Sequence, residues 1–95
     1  MDPHSRLLDL LARRSARRGT FTLASGRQSD LYIDCRPTTM HPEGLSLIGP
    51  LGLRAIGERG WRPDAIGGLT LGADPVSYAI AYASQLAGTP IRAFT

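Results

Sequence analysis

The stretch that most limits how this chain can fold lies at residues 64–95. Asp64-Ala65-Ile66-Gly67-Gly68-Leu69 has the short apolar character of a buried strand and runs into the glycine-rich turn Thr70-Leu71-Gly72-Ala73. Asp74 and Pro75 follow as an N-cap and a first-turn proline, the residue types that start helices. The helix predicted over residues 76–87 is apolar almost all round and stops at Gly88, and Pro90-Ile91-Arg92-Ala93-Phe94-Thr95 reads as a second strand. Strand, turn, helix and strand in that order make a right-handed crossover between parallel strands, so the fold class is α/β.

Such a unit is incomplete by itself. Parallel sheets normally have more than two strands and are covered on both faces. The predicted helix presents Tyr78, Ile80, Tyr82 and Leu86 with hardly a charge, which calls for burial on most sides. The sequence stops at Thr95 inside a strand, so the expectation is the amino-terminal part of a longer α/β chain, interrupted mid-sheet. A dimer that completes the sheet between subunits is the alternative. An unprotected strand edge would leave residues 1–95 alone partly disordered or prone to aggregate.

Upstream, Asp2 caps a first helix, Pro3 occupies its first position, and Leu7, Leu8, Leu10 and Leu11 form its apolar stripe. Arg13, Arg14, Arg17 and Arg18 are expected in its last turn before Gly19, where cations are favoured by the helix dipole. A hairpin follows, with strands at residues 20–23 and 31–35 around the seven-residue connection Ala24-Ser25-Gly26-Arg27-Gln28-Ser29-Asp30. A loop through residues 36–41 leads to a second helix starting at Pro42, with Leu45, Ile48, Leu51, Gly52, Ala55 and Ile56 on one face. Pro50 should kink or split that helix, while Gly44, Gly49 and Gly52 either weaken it or let it pack closely on a sheet.

Composition narrows the functional classes. All 11 basic residues are arginine and the formal charge is +3, but outside the cluster at residues 13–18 the arginines are nearly balanced by the 8 acids. A solvated helix end therefore outweighs a nucleic-acid patch, which remains an alternative. No run approaches the roughly 20 apolar residues needed to span a bilayer, and the amino terminus lacks a signal-peptide pattern. The single cysteine, Cys35, reads as a buried small residue in a reducing compartment, which points to the cytoplasm. His41 reads as a surface or capping residue, because no other His, Cys or carboxylate stands at ligand spacing from it.

A strand, a glycine-rich turn and a helix amino terminus together form an anion site, since unpaired backbone N–H groups converge there. Neither G-x-G-x-x-G nor G-x-x-x-x-G-K-[ST] is present, and Gly67, Gly68 and Gly72 serve either a phosphate cradle or close packing of strand on helix. Asp74 would repel a phosphate but bind a hydroxyl or a metal, and the reading as a cap outweighs that one.

Two segments carry a resemblance. Gly19-Thr20-Phe21-Thr22-Leu23-Ala24-Ser25-Gly26-Arg27-Gln28-Ser29-Asp30, followed by Tyr32-Ile33-Asp34, resembles the base-holding hood of orotate phosphoribosyltransferases. Gly67-Gly68-Leu69-Thr70-Leu71-Gly72-Ala73-Asp74-Pro75 is similar to their pyrophosphate-binding loop, and the likeness runs from about Gly19 to Thr95. It implies an incomplete type I phosphoribosyltransferase fold, with the helix and hood at residues 1–41 and the start of the core at residues 42–95. The implied reaction moves ribose 5-phosphate from phosphoribosyl pyrophosphate (PRPP) to orotate, giving orotidine 5′-monophosphate and pyrophosphate in UMP synthesis, with Mg2+ and a homodimer. The backbone at Tyr32 and Ile33 would hold the orotate edge, Ser25 and Gly26 would close over it, and the amides of Thr70, Leu71 and Gly72 would cradle the pyrophosphate.

Many relatives carry lysine where this sequence has Ala24 and Gly72. Backbone donors or an arginine such as Arg27 would have to replace them. The family's mobile catalytic loop and its acidic ribose-binding pair match nothing before Thr95, so no catalytic residue is expected within these residues, and the chain alone should be inactive. A phosphoribosyltransferase for another base is the remaining alternative, and the hood sequence argues against it.

Overall fold

Asp2 opens the first helix as its residue type dictates. In a computed structural model describing residues 1–95, its carboxylate accepts the Ser5 amide at 2.9 Å, and α1 runs Pro3–Arg14 with Pro3 in the first turn. The helix ends sooner than expected. Ser15 is its C-cap, and the chain turns at once into β1 (Ala16–Thr22). Arg17 and Arg18 therefore belong to a strand and point to opposite faces of it, and Gly19 lies within that strand near an irregularity between Arg18 and Phe21. The cause is the buried Ser15, whose hydroxyl pairs with that of Thr38 at 2.7 Å and whose carbonyl accepts the Asp34 amide at 3.0 Å. Those bonds fix the chain where a longer helix would have continued.

β1 pairs antiparallel with β2 (Gln28–Ile33), Ala16 opposite Ile33 and Thr22 opposite Gln28. The connection is residues 23–27, shorter than the expected seven, because Gln28, Ser29 and Asp30 join the ladder. Gly26 takes φ +84° to close it, and the Leu23 amide bonds the Arg27 carbonyl at 2.8 Å. Residues expected as plain loop contain a short helix, α2 (Arg36–Thr39), with Cys35 as an exposed N-cap rather than a buried core residue. His41 caps α3 (Pro42–Glu58), its Nδ1 accepting the Glu43 amide at 3.1 Å, as the sequence suggested.

Helix α3 is continuous through Pro50. A mid-helix proline costs about 3 kcal/mol, and close packing offsets it. A Cβ at Gly49 would lie 2.5 Å from the Ala79 carbonyl oxygen, and one at Gly52 would lie 2.5 Å from Ile80 Cδ1. These glycines bring α3 onto α4 (Asp74–Leu86), a helix, rather than onto a sheet. The most buried apolar residue of α3 is Leu47, outside the predicted face.

The crossover forms as expected: β3 (Ala65–Gly67) pairs parallel with β4 (Arg92–Phe94), with α4 between them and Gly88 at φ +82° after its end. The buried apolar core is Leu10, Leu47, Ile80 and Ile91. Only one side of α4 is buried, against the expectation for so apolar a helix. Tyr82 and Leu86 stay 68% and 72% exposed, although α3 and the strands β3 and β4 pack against the helix. No helix is long and apolar enough to cross a membrane.

Candidate functional site

Two close approaches shape the turn between β3 and α4. A Cβ at Gly67 would stand 2.5 Å from the Phe94 carbonyl oxygen, and one at Gly68 would stand 2.7 Å from the Ala73 Cβ. Both glycines are thus demanded by packing, whereas Gly72 faces open space. Within the turn the Ala73 amide bonds the Leu69 carbonyl at 2.9 Å and the Asp74 amide bonds the Leu71 carbonyl at 3.1 Å. The amides of Thr70, Leu71 and Gly72 donate to no acceptor in the protein. Three consecutive free donors thus lie beside the amino end of a 13-residue helix, where the helix dipole favours negative charge.

Asp74 does not cap that helix. Ala73 is the N-cap and Asp74 the first helical residue, its carboxylate turned back to accept the Thr70 hydroxyl at 2.6 Å. The other carboxylate oxygen, Oδ1, is sealed from solvent without a partner. A short side chain on the first helical residue reaches Thr70 more directly than the amides two or three residues ahead of it.

A cleft of about 500 Å³ opens beside the turn. Leu71, Gly72, Asp74 and Tyr78 form one wall, and Arg36, Thr39 and Met40, from α2 and its end, form the other. Leu71 and Gly72 are the predicted site residues that it brings in. Ser25 and Gly26 lie at the exposed hairpin tip, and Tyr32 and Ile33 on β2 are about half exposed; none of these four lines the cleft. Tyr32 packs against Phe21 with ring centroids 5.5 Å apart, and β2 has a neighbour on one edge only, leaving backbone groups free on the other. The wall facing the turn is therefore the segment directly after the hairpin.

Arg36, Thr39, Met40 and Tyr78 were missed by sequence reasoning. One signal was present: Asp34 and Arg36 stand two apart, and the guanidinium grips the carboxylate through Nε at 2.9 Å and Nη2 at 2.7 Å. That fork, with the Arg36 amide at 3.1 Å, holds the Asp34 carboxyl at about 2, well below its ordinary 3.8, and raises Arg36 in turn. A second hollow of about 510 Å³ between α3 and α4, lined by Leu45, Pro50, Tyr82 and Leu86 among others, carries no charged side chain. No three His, Cys, Asp or Glu side chains gather to hold a metal ion.

Over 90 residues, 95% of its length, the chain is 49% identical to the orotate phosphoribosyltransferase of Bradyrhizobium sp. strain BTAi1. The chain is a homologue of the amino-terminal half of orotate phosphoribosyltransferases. It spans about half the length of the curated relatives it matches, 48% of the Bradyrhizobium protein and 48% of the Aquifex aeolicus one, to which it is 42% identical. The Mycobacterium tuberculosis orotate phosphoribosyltransferase determined with PRPP superposes with a TM-score of 0.79 at 41% identity, over 98% of this chain and 52% of that one. The same enzyme with inorganic phosphate gives 0.80 at 42% identity, over 97% and 52%. No protein-family model matches the chain. The α/β architecture of helix, hairpin and parallel crossover is thus that of the first half of an orotate phosphoribosyltransferase.

Proposed function

We propose that the protein carrying this chain transfers ribose 5-phosphate from PRPP to orotate, releasing pyrophosphate and forming orotidine 5′-monophosphate in pyrimidine biosynthesis. The observation that carries the reading is the likeness, over 98% of the chain, to an orotate phosphoribosyltransferase solved with PRPP. Physical chemistry agrees with it. The free amides of Thr70, Leu71 and Gly72 suit a diphosphate, and these backbone donors need no lysine, consistent with Gly72 in place of one. In this reading residues 1–41 hold the base and residues 42–95 begin the core. Ser25 and Gly26 close over the orotate ring, and the backbone at Tyr32 and Ile33 meets its edge from the free side of β2.

In this reading Mg2+ comes as a companion of the substrate, and Asp74 supplies a fixed negative charge beside the free amides. When bound, the ion offsets diphosphate charge; the chain's own part is to orient that group through backbone N–H. A homodimer belongs to the same proposal, carried by the likeness to the family alone.

The test is thermal unfolding of the intact protein with candidate bases in the presence of pyrophosphate and Mg2+. Orotate should raise the melting temperature, and adenine and hypoxanthine should not. Protection by a purine base without protection by orotate would transfer the protein to another branch of the phosphoribosyltransferases.

A further inference from the structure

Ser15 is where both strands of the hairpin join the rest of the chain. Ala16, the first residue of β1, stands opposite Ile33, the last of β2, and just outside that pair the Ser15 carbonyl accepts the Asp34 amide at 3.0 Å. The Ser15 side chain reaches α2, where its hydroxyl meets that of Thr38 at 2.7 Å. Ser15 and Thr38 are 2% and 0% exposed, so residues 1–95 alone seal the pair, and further protein around them adds to that burial without undoing it. Thr38 is itself seated on the core. Its carbonyl takes the His41 amide at 3.1 Å, and a Cβ at Gly44 would overlap that same oxygen, so the first turn of α3 lies directly against α2.

Apolar side chains would fill the same space. Replacing both partners of a buried hydrogen bond by apolar groups of similar shape is nearly neutral for stability, so this bond adds little to the fold as a whole. What it adds is direction, because a hydrogen bond fixes distance and angle where an alkyl contact lets two surfaces slide. Direction matters at this joint. The seven residues of β1 extend about 20 Å at the rise of a strand, so a small tilt at Ser15 moves Ser25 and Gly26 at the tip much farther than the base. On the other side of the bond, α2 and its end carry Arg36, Thr39 and Met40, the cleft wall that faces the turn.

We propose that Ser15 and Thr38 are a pair of positioning residues: their bond sets the angle of the hairpin against the cleft wall, and with it the affinity for the base. The proposal rests on the phosphoribosyltransferase reading and deepens it, assigning the orientation of the base-holding hairpin to two buried residues that do not line the cleft. Removing the hydroxyls frees the hairpin and leaves the wall in place, because the Thr38 carbonyl and Gly44 still hold α2 to α3. The consequence falls on orotate and spares PRPP, whose amide cradle lies on the turn between β3 and α4.

Steady-state kinetics of the intact protein, with orotate and PRPP varied in turn, tests it. The double variant Ser15→Ala/Thr38→Val replaces both hydroxyls by apolar groups, so its melting temperature should stay near that of wild type. Its KM for orotate should rise about tenfold, as misplacement of a binding element predicts. Its KM for PRPP and its kcat should stay within about twofold, the pattern of a lost binding contribution. Thr38→Val alone strands the Ser15 hydroxyl and should lower the melting temperature as well as raise KM for orotate. Thr38→Ser restores the hydroxyl and should bring that KM back to within about twofold of wild type. A double variant with wild-type KM for orotate, or with equal rises in both KM values, overturns the positioning role and leaves the functional reading standing. If the double variant does not melt cooperatively, Thr38→Val and Thr38→Ser decide, and equal KM values for orotate in those two overturn the role. Wild-type protein that forms no orotidine 5′-monophosphate from orotate and PRPP overturns both.

Discussion

Ser84 on α4 accepts the backbone amide of Ile91 through its hydroxyl oxygen at 2.8 Å, while its proton goes to the Ala81 carbonyl at 2.6 Å. Ser84 is fully buried, and its own carbonyl takes the Thr89 amide at 3.0 Å. One serine thereby ties the helix of the crossover to the chain entering β4, and so sets where the second strand meets the first.

Replacing Ser84 by alanine leaves the Ile91 N–H buried without a partner. A buried donor stranded in this way costs about 1–3 kcal/mol. Ser84→Ala should therefore lower the unfolding midpoint of the intact protein in urea, with the slope unchanged. An unchanged midpoint would mean that another acceptor reaches Ile91.

The parts of the fold readable in the sequence were those governed by local chemistry. Asp2 and Pro3, His41 and Pro42, and Gly88 mark helix ends through dihedral and hydrogen-bonding preferences that need no tertiary partner. Tertiary bonds decided the rest. The Ser15–Thr38 pair ended α1 before its arginines, and α4 held α3 together through Pro50. At the site, the turn was legible because its glycines and helix start are contiguous. The opposite wall was not, since Arg36, Thr39 and Met40 reach it only through a short helix formed by folding.

The glycines of α3 separate packing from propensity. Gly49→Ala would drive a methyl group into the Ala79 carbonyl and should destabilise by about 1–3 kcal/mol, as overpacking does. Gly57→Ala meets nothing within 4 Å and should stabilise by about 0.5–1 kcal/mol through helix propensity. Thermal melts of the two variants should shift in opposite directions. Stabilisation by both would show that helix propensity governs both sites.

Asp34 should confer a specific acid sensitivity. Its carboxyl is held at about 2 by Arg36 against an ordinary 3.8, so the unfolded state binds the proton more readily. The stabilisation is fully present above pH 3.8 and is lost as pH falls from there through about 2. The pair is solvent-facing, so the effect on global stability is small. Carbon-13 NMR of the Asp34 carboxyl should show a midpoint near 2 in the folded protein, rising toward 3.8 in Arg36→Ala. A midpoint unmoved by that substitution would separate the shift from the guanidinium fork.

The position of the free amides depends on the sheet beneath them, which makes Gly67 and Gly72 a discriminating pair. Gly67 sits where β3 meets β4, and a methyl group there would collide with the Phe94 carbonyl and ring. The strands must then separate, and the turn that begins one residue later loses the anchor that aims Thr70, Leu71 and Gly72. Gly67→Ala should therefore lower both stability, by about 1–3 kcal/mol, and the affinity for pyrophosphate with Mg2+. Gly72→Ala adds its methyl group to open space and keeps the backbone amide, so affinity should stay within about threefold of wild type, less than the 1.4 kcal/mol that a tenfold change represents. Calorimetric titration of both variants measures the contrast. Equal losses would mean that the turn binds through flexibility at Gly72, whereas loss in Gly67→Ala alone ties recognition to a backbone cradle set by the β3–β4 pair.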